Sequence, residues 1–267
     1  MRALTQSRPV FSRTWLTLVT ALLSLAVSAA RADAPLPTDF VYLRQIDASI
    51  GQDIHYAGTD NFTAKPVPGY GAGECLLVRA AALSLAAVQK QLATEELGLQ
   101  VYDCYRPVRA TDHFMRWARQ GGGDDASRRF HPHVADRRAL LAGYIARRSR
   151  HSLGIAVDLT LVQIGAAMAM SFDPAAQYGP CDGPAEARAP DNGLDMGTGY
   201  DCFAEASATA SRKITPEQRA RRRRLVRIMA QHGWWNYPKE WWHFEYKRPP
   251  GIRLVPLDLP IRQMPTP

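Results

Sequence analysis

Two short segments of this chain hold residue types that suit one chemistry. Ser149-Arg150-His151-Ser152-Leu153-Gly154-Ile155-Ala156-Val157-Asp158 supplies an imidazole and a carboxylate. Glu240-Trp241-Trp242-His243 supplies a second imidazole, with a glutamate three residues before it. A catalytic zinc takes three protein ligands, keeps one position open, and needs a base for the water that occupies it. His151, Asp158 and His243 form such a ligand set, and Glu240 is the candidate base. Gly154 lies between His151 and Asp158 and permits the bend that lets both face one point. A lone histidine is usually a packed or surface residue. His55, His113, His131, His133 and His232 are read that way; His131-Pro132-His133 has no third ligand near it in sequence.

The elements around these segments follow from their patterning. Ile155 to Leu161 alternates with period two, so Ile155, Val157, Leu159 and Leu161 share one strand face and Asp158 points to the other. In an H-E-x-x-H site the glutamate shares a helix with its histidines. Here the order is E-x-x-H, and on a strand residues three apart face opposite ways. Glu240 to Tyr246 reads as a short aromatic strand, and Glu240 itself is expected in the turn after Pro238. Trp234, Trp235, Trp241 and Trp242 read as core packing.

Upstream, Tyr42, Ile46 and Ile54 hint at short strands, and Asp60-Asn61-Phe62-Thr63 is a turn signal. Leu76, Val78, Leu83, Leu85, Val88 and Leu92 predict a core helix from Cys75 to Leu97, stopped by Gly98. A strand from Leu99 to Cys104 ends at Arg106-Pro107, and a helix follows from Thr111 to Gln120. Ala135 to Arg148 reads as partly helical, and residues 163–200 as a long loop. Thr215-Pro216-Glu217-Gln218 opens a last helix with a capping box; it runs to His232 and is capped by Gly233. Its arginines, Arg219, Arg221, Arg222, Arg223, Arg224 and Arg227, read as a solvated face. The order predicts a single α+β domain with a small antiparallel sheet flanked by helices and a central cleft for the zinc site.

Arg2, Arg8 and Arg13 precede an apolar run from Trp15 to Val27, and Ala30-Arg31-Ala32 follows. This predicts a signal peptide over residues 1–32 and a domain over residues 33–267, in the periplasm or secreted. No later run is long enough for stable membrane insertion. Removing four of the 33 Lys and Arg and none of the 25 Asp and Glu lowers the formal charge from +8 to +4. So mild a balance points away from nucleic acid. Cys75, Cys104, Cys181 and Cys202 form no C-x-x-C pair, which argues for two disulfides over a cysteine zinc site. Three pairings are possible; moderate loops favour Cys75–Cys104 and Cys181–Cys202.

The combination resembles the zinc D-alanyl-D-alanine dipeptidases. Their S-x-H-x-x-G-x-A-x-D signature is met by Ser149, His151, Gly154, Ala156 and Asp158, and their E-W-W-H signature by Glu240 to His243. Asp103-Cys104-Tyr105-Arg106-Pro107, Asp60 to Thr63, Lys65-Pro66-Val67 and Met196-Gly197 before Asp201 also match, over about residues 40–246. The resemblance implies one zinc per chain on His151, Asp158 and His243, with Glu240 as general base and Arg106 facing the oxyanion. It implies Tyr56, Tyr70, Ser149 and Asp201 around a small dipeptide, with Asp201 near its ammonium. Cys104 stands where the family has glycine, which fits an exported, disulfide-bonded branch. The loop from Gln163 to Met196 is longer than in compact members. The activity implied is hydrolysis of D-Ala-D-Ala or a related wall dipeptide. A carboxypeptidase trimming peptidoglycan stem peptides would share the zinc set, and a non-catalytic wall-binding module would need neither Glu240 nor Arg106.

Overall fold

The computed structural model describes residues 35–122, 125–167, 171–247 and 254–265. The expected signal peptide lies outside the described residues. Pro37–Pro267 forms one compact unit. Its strands are β1 (Phe40–Tyr42), β2 (Gly51–Gln52), β3 (Leu76–Val78), β4 (Leu97–Asp103), β5 (Ala156–Gln163), β6 (Trp234–Asn236) and β7 (His243–Tyr246). Its helices are α1 (Leu43–Ile46), α2 (Arg79–Ala93), α3 (Val108–Arg119), α4 (Asp125–Arg128) and α5 (Pro216–Gln231). The result is an α+β domain whose central sheet runs β2-β4-β5-β7-β6, beside a small antiparallel pair of β1 and β3. The sheet is mixed rather than purely antiparallel, because the short edge strand β2 runs parallel to β4.

β5 is the axis of this sheet. Its β-branched and leucine residues suit a pleated surface, and Ala156 to Leu161 are buried on both faces. Pairing with β7 sets Asp158 opposite His243. Pairing with β4 sets Asp158 opposite Asp103, after a register shift between Val101 and Asp103. Asp103, Asp158 and His243 thus form one row across three strands. His151 reaches that row from a single 3-10 turn, His151–Leu153, which ends at Gly154 in the left-handed region (φ 67°). An added Cβ there would lie 2.4 Å from the Phe40 ring, so glycine is required on two counts.

The expected helix from Cys75 to Leu97 is corrected at both ends. Leu76 and Val78 belong to β3, where they pair with β1, and the helix occupies Arg79–Ala93. Leu83 is exposed, while Ala81, Ala82, Leu85, Val88 and Leu92 pack inward. Gly98 lies inside β4 and stops no helix; Glu96 takes the left-handed conformation (φ 55°) instead. Gln89 fills the space beside Gly98 and accepts the Leu99 amide through Oε1. Ile46 is helical rather than extended, and Ile54 precedes a 3-10 turn. Of the four tryptophans read as core, Trp234, Trp241 and Trp242 are buried but Trp235 is exposed, because it alternates to the outer face of the edge strand β6. The aromatic strand expected from Glu240 begins only at His243, because Trp241 and Trp242 lie in the turn that carries Glu240. The remaining helix and disulfide expectations hold. Thr215 and Gln218 form the capping box of α5, and Gly233 follows that helix at φ 85°. Cys75–Cys104 and Cys181–Cys202 are disulfides, and the described residues include no free cysteine. No described helix is long and apolar enough to cross a membrane.

The arginine face of α5 needs one correction. Arg222 is fully buried. Its Nε donates to the carbonyl of Met196, and Nη1 to those of Ala206 and Ala208. Its guanidinium also lies over the Trp241 ring at 5.7 Å. A charge run predicts solvation because an isolated guanidinium is costly to bury. Here loop carbonyls, which the sequence pattern does not reveal, replace the water. Arg222→Met should therefore lower unfolding free energy by at least about 2 kcal/mol, because it strands three carbonyl acceptors. Arg223→Met, on the exposed side, should change it by less than about 0.5 kcal/mol. Denaturant unfolding of both variants checks this, and equal effects would contradict it.

Candidate active site

The strand row and the His151 turn bring three donor atoms together. His243 Nδ1 is 2.9 Å from Asp158 Oδ1, His151 Nε2 is 3.1 Å from His243 Nδ1, and His151 Nε2 is 3.4 Å from Asp158 Oδ1. Ligands at about 2.0–2.1 Å on a tetrahedral ion sit about 3.3 Å apart, so the three gaps match three edges of one zinc tetrahedron. The other donor atoms are already committed. His151 Nδ1 donates to the Cys104 carbonyl at 2.6 Å, which aims Nε2 at the cluster. His243 Nε2 lies 3.6 Å from Glu245 Oε1. Tyr200 donates its hydroxyl to Asp158 Oδ2 at 3.0 Å, leaving Oδ1 for the imidazoles. Among the described residues, these three are the group placed to hold a metal ion.

The electrostatics favour a cation at this point. Burial works against charge on Asp158, but His151 and His243 together hold its carboxyl well below the usual range. Desolvation likewise opposes charge on His243, yet Asp158 and Glu245 push it up to about 10. A proton and a dication would compete for these donor atoms, so metal binding here would release a proton.

The cluster lies in a cleft of about 480 Å³ whose lining includes Tyr56, Arg106, Ser149, Asp201, Trp242 and Glu240. Arg106 donates from Nε and Nη2 to Asp103 Oδ2 at 3.0 and 2.7 Å, and Nη2 is 3.7 Å from Asp158 Oδ2. The Tyr56 and Phe114 rings lie 5.2 and 5.1 Å from its guanidinium carbon. Tyr56 donates to Asp201 Oδ2 at 2.7 Å. Glu240 follows Pro238 in a turn whose backbone is tied by Glu240 N to Tyr237 O and His243 N to Glu240 O. Ser149 Oγ accepts the His151 amide. Tyr70 is placed differently: it does not line the cleft, and its buried hydroxyl donates to Asp103 Oδ1 at 2.6 Å.

A family model described as D-ala-D-ala dipeptidase, peptidase family M15, matches residues 37–174 and 189–256. This chain belongs to the D-Ala-D-Ala dipeptidase family. It is therefore a hydrolase of the metallopeptidase kind. A D-alanyl-D-alanine dipeptidase of Streptomyces coelicolor is 34% identical over 223 residues, 84% of this chain and 98% of that one. One of Enterococcus faecium is 32% identical over 225 residues, covering 84% and 98%. One of Escherichia coli is 30% identical over 218 residues, covering 82% and 90%.

Within this peptidase framework, three supporting residues escaped the sequence reading. Asp103 orients Arg106 and lies 3.4 Å from His151 Nδ1. It sits in the matched Asp103-to-Pro107 run, which was the available signal. Tyr200 immediately precedes Asp201 but carries no motif of its own. Glu245 lies two residues beyond His243, on the same strand face. His131 is a buried core residue beside Ser127, and His133 pairs with Asp182 at the surface. Desolvation, with Asp158 adding to it, pushes Glu240 up to about 7. In metal-free protein the Glu240 carboxyl should titrate near 7 rather than near the ordinary value of about 4.3. Side-chain carboxyl NMR measures this, and a midpoint below about 5 would remove the desolvation argument.

Proposed function

We propose that the chain is an exported zinc dipeptidase that cleaves D-Ala-D-Ala or a related cell-wall dipeptide. The observation that carries this is the meeting of His151, Asp158 and His243 in a cleft that also receives Glu240, Arg106 and Asp201. Export draws support from two disulfides and from the signal-like leader. The donor set and its spacing fit zinc, held by His151 Nε2, His243 Nδ1 and Asp158 Oδ1. When bound, zinc supplies a Lewis acid that acidifies water and polarises a carbonyl.

The protein's own residues do the rest. Glu240, with its affinity for a proton raised toward neutrality, takes the proton of the attacking water and passes it to the leaving amine. Arg106 stays cationic because the buried Asp103 carboxylate holds it, and it faces the oxygen on which charge develops. Asp201 and Tyr56 offer a buried acceptor for a free ammonium at one end of the cleft. That acceptor selects substrates with an unblocked amino terminus. Ser149 and the rings of Phe114 and Trp242 complete the walls of a small site.

Glu240→Gln tests the chemistry while conserving shape. The variant should keep its fold and its zinc, and kcat on D-Ala-D-Ala should fall by roughly 10²–10⁴ with little change in KM. Wild-type enzyme should leave an N-blocked tripeptide uncleaved and prefer D-Ala-D-Ala to L-Ala-L-Ala. A zinc-replete Glu240→Gln enzyme with more than about a tenth of normal kcat would remove Glu240 from the mechanism. Rapid cleavage of the blocked tripeptide would favour the carboxypeptidase reading.

A further inference from the structure

Asp201 occupies the left-handed region at φ 54°, a conformation that non-glycine residues seldom hold unless their surroundings impose it. The surroundings can be named. On one side the Gly199 amide donates to the Cys181 carbonyl at 2.8 Å. On the other, the Phe203 amide donates to the Phe130 carbonyl at 2.7 Å. Cys181 is itself fixed, since its amide donates to the Arg129 carbonyl at 2.8 Å. The residue directly after Asp201 is Cys202, fully buried and joined to Cys181 by a disulfide. The Cys202 carbonyl accepts the Ser207 hydroxyl at 2.6 Å. Residues 199–203 are thus clamped on both flanks, and Cys181 supplies both a backbone acceptor and a covalent bond. Cys181 also lies within residues 175–188, the stretch where the family match is interrupted.

We infer that the Cys181–Cys202 disulfide is a positioning device for Asp201, through which this chain fixes its affinity for the free amino terminus of a substrate. The inference rests on the proposed ammonium role of Asp201. The disulfide does not touch the substrate. It narrows the backbone freedom of the neighbouring residue, so the carboxylate stays beside the Tyr56 hydroxyl without substrate to hold it there. The metal cluster is insulated from this device. Tyr200, the residue before Asp201, is anchored independently by stacking on Tyr102 at 4.8 Å and by edge contacts with His55 and Trp242. Its hydroxyl should therefore keep its place on Asp158 when the disulfide is removed.

The test uses zinc-loaded full-length domain and four proteins: wild type, C181S/C202S, D201N and the triple variant. C181S alone is added, because it breaks the bond yet leaves the Cys202 sulfur in its buried seat. KM and kcat for D-Ala-D-Ala, zinc content and melting temperature are read for each. The expected result is a KM about tenfold or more above wild type in both disulfide variants, the effect of a weakened charge-assisted hydrogen bond. Their kcat should stay within about threefold, with full zinc content. In the D201N background, removing the disulfide should raise KM no further. An unchanged KM in folded C181S and C181S/C202S, with a raised KM in D201N, would overturn the inference and leave the ammonium role standing. An unchanged KM in D201N would overturn both. Additive KM effects, or loss of zinc with the disulfide, would show a staple serving general stability and would also overturn the inference.

Discussion

Everything in the site depends on the register of three strands. β4, β5 and β7 align so that Asp103, Asp158 and His243 stand side by side. Directly opposed residues place their Cβ atoms about 4.5–5.5 Å apart, close enough for short side chains to share one ion or one proton. A slip of one residue in either pairing would turn Asp158 to the opposite face from its partners and dissolve the cluster. The register shift at Val101/Asp103 is what lets β4 contribute an aspartate to the row. The remaining member of the cluster, His151, comes from a turn whose left-handed glycine packs on Phe40. The Cys104 carbonyl then fixes both the ring and its tautomer. Covalent and packing constraints converge here as well, since the Cys75–Cys104 disulfide ties the end of β4 to the start of β3.

The second constraint is desolvation of opposed charges. The cleft and its floor bring the carboxyls of Asp103, Asp158, Asp201 and Glu240 close to the Arg106 guanidinium and the imidazoles of His151 and His243. Burial alone would neutralise the acids, yet their environments drive them apart. Asp158 is held low by the two imidazoles, Glu240 is pushed up to about 7, and burial with Asp158 nearby raises Asp201 well above the usual range. Such divergence among neighbouring titratable groups is the pattern expected where carboxyls take different roles, as the proposed function assigns them. Asp103 is the quiet member, saturated by Arg106, Tyr70 and the Cys104 amide.

Much of this was legible in the sequence because the informative residues are local. The period-two alternation of β5, the capping box of α5 and the turn placement of Glu240 each follow from a few neighbouring residues, and the structure agrees. The grouping of His151, Asp158 and His243 was legible because two compact motifs carry these residues. What was not legible lies between elements. Nothing in the run of leucines shows that β3 takes Leu76 and Val78 through pairing with β1. The burial of Arg222 depends on loop carbonyls at Met196, Ala206 and Ala208, far from it in sequence. Tyr200 and Glu245 matter only through the atoms they touch on Asp158 and His243. The family resemblance implies Tyr70 beside the substrate, but its hydroxyl is taken up by Asp103.

The central claim is that one zinc ion sits on two imidazole nitrogens and one carboxylate oxygen, with a position left open. Zinc-edge X-ray absorption on the loaded protein, combined with anomalous diffraction at the same edge, tests it directly. The account predicts one site per chain, with nitrogen and oxygen scatterers at about 2.0–2.2 Å and no sulfur at about 2.3 Å. The anomalous peak should lie between His151, Asp158 and His243. A peak elsewhere, such as at His131 and His133, or a shell containing sulfur, would contradict it.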